Sequence, residues 1–189
     1  MTTVALTLRR STRVVHEHAE ERLGLPGSLR SRDDVDELLR RWHALFVELR
    51  PVLEADGPHG APPVPQLVDV LAEDLVARGL RPATAPGRPA HYGSAAQRAG
   101  AAYVVAGAQL GVRQVAGALP AAWRDDSRYL GGTTAALRSM AELRAWLDRW
   151  DDEAVDEIVA GAEATFGRSI EILGAAPWSE PLSTTTEAR

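Results

Sequence analysis

The sequence predicts an all-α chain forming a single domain, and three observations carry that expectation. Apolar residues recur at steps of three and four through most of its length, no stretch keeps a period-two alternation, and glycine or proline falls between the periodic segments. With 189 residues, 45% of them hydrophobic, the chain is long enough for one substantial core and short for two.

The first helix is expected from Thr3 to Leu23. Ala5, Leu8, Thr12, Val15, Ala19 and Leu23 share one of its faces, and His16 lies on that face too. His18, roughly 200° further round a helix of 3.6 residues per turn, points the other way, so only one of the two can face inward. Position alone leaves two readings of His16, a core histidine with satisfied ring nitrogens or a ligand. Gly24-Leu25-Pro26-Gly27 breaks the helix.

Ser31, with Asp34 three residues on, opens a second helix along Val35, Leu38, Leu39, Trp42, Leu45, Phe46, Leu49 and Leu53, which Pro51 kinks or ends. His43 sits at the edge of this stripe, structural or partly exposed. The turn-rich run from Asp56 to Pro65 puts His59 in a solvated loop. A short third helix carries Leu67, Val70, Leu71 and Leu75 and stops at Gly79. Leu80 to Gly93 then crosses the surface irregularly, with His91 incidental to it.

Ser94 caps a fourth helix from Ala95 to about Leu119 that contains Gly100, Gly107, Gly111 and Gly117. Each interior glycine costs on the order of 1 kcal/mol relative to alanine, so four of them need a reason. Gly107 and Gly111 face the same way and strip one patch of side chains, which suits either tight helix packing or the approach of a flat ligand. Pro120 and the stretch Asp125 to Gly132 form another break. A fifth helix carries Leu137, Met140, Ala141, Leu143, Leu147 and Trp150. The last carries Val155, Ile158, Val159, Ala162, Phe166, Ile170 and Leu173 and ends at Gly174. The domain is thus 1–174, and the Pro-, Ser- and Thr-rich 175–189 is expected to be a disordered tail.

Composition narrows the chemistry. There is no cysteine, which removes disulfides, thiolate catalysis and cysteine-held iron sites. All 21 basic residues are arginine, so no lysine can form a Schiff base. A net charge of -5 with scattered arginines argues against a nucleic-acid partner. No run approaches the roughly 18 apolar residues of a membrane span, and the amino terminus lacks the core of a signal peptide, so the expected location is cytoplasmic.

Leu8, Arg9, Thr12, His16, Ala19 and Glu20 form a pattern that resembles the first helix of the haem oxygenases. The segment Tyr103 to Arg113 is similar to the distal helix of the bacterial members at Tyr103, Gly107, Leu110 and Gly111. It departs at Ala106, Ala108 and Val112, where the family has glutamate, serine and a second glycine. The resemblance implies a helical bundle with haem sandwiched between the first helix and the glycine-rich fourth. It makes His16 the proximal ligand of the iron and Arg9 the partner of a haem propionate, with Thr12, Glu20 and Tyr103 as further motif positions at the haem.

Arg144 on the fifth helix then matches a second propionate-holding basic residue, and Phe166 a pocket phenylalanine. Gly107 and Gly111 become the catalytic wall that steers oxygen toward one meso carbon. The implied reaction uses O2 and electrons from a ferredoxin or reductase, with haem as both cofactor and substrate, and yields biliverdin, ferrous iron and carbon monoxide. Ala108 cannot anchor the distal water that a polar residue holds in animal relatives. The alternatives are a non-catalytic haem-binding or haem-sensing protein on the same fold, and a helical interaction module with His16 in its core. A di-iron carboxylate bundle would need Glu-x-x-His pairs, which the chain lacks.

Overall fold

Two helices, α1 (Val4–Ser11) and α2 (Arg13–Leu23), stand where one was expected at the amino terminus. The computed structural model describes residues 3–62, 64, 67–131 and 134–174, and of 134–139 the backbone alone. The break falls at Thr12, whose ψ is 0° and whose buried hydroxyl donates to the Leu8 carbonyl at 2.8 Å. Such back-bonding bends a helix without ending it. The ladder runs through the bend, from Thr12 N–H to Leu8 O and from His16 N–H to Thr12 O, both 2.9 Å. Gly24, at φ 60°, ends α2 in a conformation that favours glycine.

The capping box at Ser31 and Asp34 forms as expected and starts α3 (Arg32–Glu54), which carries Pro51 inside it and continues one turn further. α4 (Val68–Ala77) and α5 (Ala95–Ala118, capped by Ser94) match their expected spans. The expected break after Pro120 contains two single turns instead, α6 (Ala121–Arg124) and α7 (Arg128–Gly131). Buried Asp74 on α4 explains the second. Its carboxylate accepts from Ser127 Oγ at 2.6 Å and from the N–H groups of Arg128 and Tyr129 at 2.9 Å, a long-range cap that local sequence does not announce.

α8 (Thr134–Leu147) ends before Trp150, which is buried but lies beyond the helix. A 3-10 turn (Asp152–Ala154) leads into α9 (Val155–Leu173). Among the described residues there is no strand, so the class is all-α. None of the described helices is long and apolar enough to cross a membrane. The tail 175–189 and the side chain of Leu137 lie outside the described residues.

The arrangement is built around α9. α5 packs along it more extensively than any other pair of helices packs, and α1, α2 and α3 lie against it as well. Gly100 and Gly161 make the α5–α9 crossing close. A Cβ on Gly100 would lie 2.0 Å from Ile158 O, and one on Gly161 2.0 Å from Gln97 O. Arginines pin the periphery. Arg168, 4% exposed, grips the Glu48 carboxylate on α3 through Nε and Nη2 at 2.8 and 2.6 Å. Arg41 donates to the last carbonyl of α9, Leu173 O, at 2.9 Å. The irregular crossing 80–93 is tied down by Ala90 N–H to Glu48 (3.1 Å) and by Tyr92 to Thr165 (2.8 Å).

Of two histidines, one follows expectation and one does not. His43 is buried, the structural alternative, and its Nδ1 has no hydrogen-bond partner among the described residues. His59 is half-buried rather than solvated, because its ring packs edge-on against Trp150 at 5.1 Å and its carbonyl accepts from Trp146 Nε1 at 2.9 Å.

Candidate functional site

α2 buries little of itself. Ala19 is its one buried residue, Val15 and Leu23 are half-buried, and His16 stands open, with 55% of its side chain exposed. The core-histidine reading therefore fails, and so does the expectation that His16 faces the interior. Once the helix bends at Thr12, α2 meets the bundle along the narrow Ala19 edge and leaves His16 on the rim. His18 is exposed as well, but only His16 engages α9. Its ring meets the buried Phe166 edge-on, with centroids 5.6 Å apart and planes at 83°. His16 Nδ1 lies 3.6 Å from Glu20 Oε1, an ionic contact when the ring is protonated. One ring nitrogen is thus turned toward a carboxylate, and Nε2 has no protein partner among the described residues.

The bend at Thr12 organises a second group. Tyr103, half-buried on α5, lies close to the Thr12 side chain, whose hydroxyl is bonded to Leu8 O. Burial raises the Tyr103 phenol above its ordinary value, while Arg144, Thr12 and Arg9 pull it down. Arg9 and Arg144, 135 positions apart in sequence, therefore both act on one phenol. Neither makes an ion pair with a described residue, whereas Arg32, Arg41, Arg50, Arg78, Arg128 and Arg168 all do. Two unpaired guanidiniums beside a hydroxyl suit an anionic group such as a carboxylate.

The four glycines of α5 separate into two kinds. Gly100 serves helix packing, as its contacts with α9 require. Among the described residues Gly107 does not, since a Cβ there would meet only Met140 Cε at 3.9 Å, and a Cβ on Gly111 would meet no described atom within 4 Å. α1 and α2 both lean on α9, and neither packs extensively against α5. α9, with Phe166, thus packs against both α2, which carries His16, and α5, which carries Gly107 and Gly111, so a cleft between α2 and α5 would have these two helices as walls and α9 as its floor.

A separate cavity of about 440 Å³ lies at the carboxyl end of α5, bordered by Arg113, Gly117, Arg124 and Asp125, and contains none of the sequence-predicted site residues. Among the described residues no group of three or more histidine and carboxylate side chains is arranged to hold a metal ion. Sequence reasoning missed the approach of Tyr103 to Thr12 and the place of Met140 beside Gly107. Helical spacing finds faces within one element and is silent on which faces of two elements meet. No protein-family model matches the chain, and no curated protein is similar to it in sequence.

Proposed function

We propose that this chain is a haem oxygenase, binding haem between α2 and α5 and cleaving it to biliverdin, ferrous iron and carbon monoxide with O2 and electrons from a ferredoxin or reductase. One observation carries the reading: residues assigned by a linear resemblance, from five separate helices, gather in space into two groups. His16 meets Phe166, and Arg9, Thr12 and Arg144 come from separate parts of the chain to surround Tyr103 closely enough to act on its phenol.

The residues fit the group. A haem needs an axial imidazole nitrogen, a cation for its carboxylates and a flat apolar surface for its ring. Among the described residues, Nε2 of His16 has no protein partner, Arg9 and Arg144 make no ion pair, and the Gly107–Gly111 patch offers backbone without side chains. When bound, haem supplies the iron that activates dioxygen and the carbon that is oxidised. The chain's own residues position it. Glu20, near Nδ1, favours the tautomer that keeps a lone pair on Nε2 and holds the imidazole's orientation. Phe166 stops the His16 ring from folding down onto α9.

Arg9 and Arg144 fix the acid end of the ligand, with Tyr103 and Thr12 as neutral hydrogen-bonding groups between them. Gly107 and Gly111 restrict the space over the opposite face to a backbone wall, which is steric guidance rather than acid–base assistance. Ala106 and Ala108 add no polar group there, and this favours the second reading, haem binding without turnover.

The test is a hemin titration of the wild type, His16→Ala and His18→Ala, followed by reductant and product analysis. His16→Ala is expected to lose the proximal bond, and His18→Ala to keep it. An unchanged spectrum and affinity in both variants would remove His16 from the site. Gly107→Leu is expected to retain the His16-ligated ferric complex and to lose biliverdin formation. Wild type that binds hemin but forms no biliverdin with a competent donor moves the chain to the haem-binding reading.

A further inference from the structure

Apart from Met1, the chain contains one methionine, Met140, and it lies where α8 faces the open part of α5. It is 5% exposed, and among the described residues its Cε is the one atom within 4 Å of a Cβ built on Gly107. Four residues further along α8, Arg144 acts on Tyr103, which precedes Gly107 by four residues on α5. The two helices therefore run antiparallel with matched one-turn steps: Met140 opposite Gly107 and Arg144 opposite Tyr103. One face of α8 borders both the anion-binding group and the glycine patch, so Met140 is a side wall of the same cleft.

We infer that Met140 is an oxidation-sensitive site of this cleft, at which hydrogen peroxide converts the thioether to a sulfoxide and so closes the glycine patch to a flat ligand. The inference rests on the haem oxygenase reading, because that reaction brings dioxygen and electrons to this place. Dioxygen that takes two electrons and two protons without reacting with carbon leaves as hydrogen peroxide. The sulfur lone pair then attacks one peroxide oxygen, the O–O bond breaks, an S–O bond forms, and the second oxygen departs as water. The sulfur is oxidised by two electrons and the peroxide is reduced by two.

The product is a different kind of wall. A thioether on three rotatable bonds adapts to whatever lies beside Gly107, whereas a sulfoxide is polar, chiral and short of hydrogen-bond donors among the apolar neighbours of a nearly buried site. Nearby Leu143 and Leu147, both fully buried on α8, offer it none. Turnover with leaking reductant would thereby limit itself, through a lesion that methionine sulfoxide reduction reverses.

The experiment titrates wild-type and Met140→Leu protein with hemin before and after treatment with hydrogen peroxide, and weighs the peptide that carries residue 140. Leucine keeps the volume and apolarity and cannot form a sulfoxide. The expected result is a gain of about 16 Da on the wild-type peptide, together with a fall in hemin affinity of at least about ten-fold. Met140→Leu is compared with its own untreated affinity, whatever that is, and should keep it after treatment. A residue-140 peptide of unchanged mass overturns the inference, as does oxidised wild type with full affinity, or an equal loss in Met140→Leu. In those cases hemin binding before treatment leaves the functional reading standing. If neither untreated protein binds hemin, that reading fails and takes the inference with it.

Discussion

Replacing Gly100 and Gly111 by alanine, one at a time, should move the stability of the ligand-free protein in opposite directions, although both are glycines of one helix. A methyl on Gly100 would stand 2.0 Å from Ile158 O and 2.6 Å from Ala162 N, some 1.4 Å short of the 3.4 Å at which ordinary contact begins. Both obstacles are backbone, so no rotamer change relieves them, and α5 and α9 must separate along the most extensive packing in the fold. Overpacking in cores typically costs about 1–3 kcal/mol, and a backbone-on-backbone clash belongs at or beyond the upper end, even after the better helix propensity of alanine returns about 1 kcal/mol. At Gly111 no described atom lies within 4 Å of the new methyl, which leaves the propensity gain of about 1 kcal/mol.

For a chain of this size each kcal/mol corresponds to roughly 2–4 °C in Tm. Gly100→Ala should therefore melt some 5 °C or more below wild type and Gly111→Ala about 3 °C above it. Scanning calorimetry or helical circular dichroism on the ligand-free proteins reads both. A neutral Gly100→Ala would refute the close crossing. A Gly111→Ala protein destabilised by more than about 1 kcal/mol would show that this glycine also serves packing, and would remove the open wall on which the cleft depends.

Two further outcomes follow. Arg9→Ala and Arg144→Ala should each weaken haem binding about five-fold, since a charge-assisted bond of roughly 1.5–3 kcal/mol is reduced by the exposure of both guanidiniums. Titration with the dimethyl ester of haem, which carries no carboxylates, should show no difference from wild type, and an equal loss with the ester would disprove the carboxylate contact. His43 is held below its ordinary pKa of 6.5 by burial and then by Arg50, so the unfolded chain takes up its proton at a pH where the folded chain resists it. Its contribution to stability is complete above pH 6.5 and is lost as the pH falls below that value. Urea unfolding at pH 7.5 and 5.5 should show a smaller acid loss in His43→Leu than in wild type, and identical losses would exclude this group.

Much of the fold was legible because its signals are local. Ser31 with Asp34, Ser94 and Gly79 mark helix ends by their own chemistry, and the apolar stripes of α3 and α9 repeat with the helical period. What escaped was decided at long range. α7 exists because Asp74, more than fifty residues earlier, satisfies its first N–H groups. The bend at Thr12 comes from a hydroxyl that prefers the Leu8 carbonyl, and it turns His16 from an interior position to a rim. At the candidate site, the sequence could pair Gly107 with Gly111 but could not separate them from Gly100. That distinction depends on where α9 lies, and a helical wheel does not contain α9.

Because α9 is the floor on which both walls of the cleft rest, the site has a place in time as well as in space. The wall carrying His16 is synthesised first and the floor last, 132 residues after Leu23. At roughly 5–20 residues per second, a ribosome takes about 7–26 s to cover that distance. During this interval α1 and α2 lack the helix they lean on most, and Ala5 N–H waits for Asp148, 143 positions downstream. A nascent chain can therefore form its helices early, but the proposed cleft has no floor until the carboxyl-terminal helix emerges and the amino-terminal pair folds back onto it.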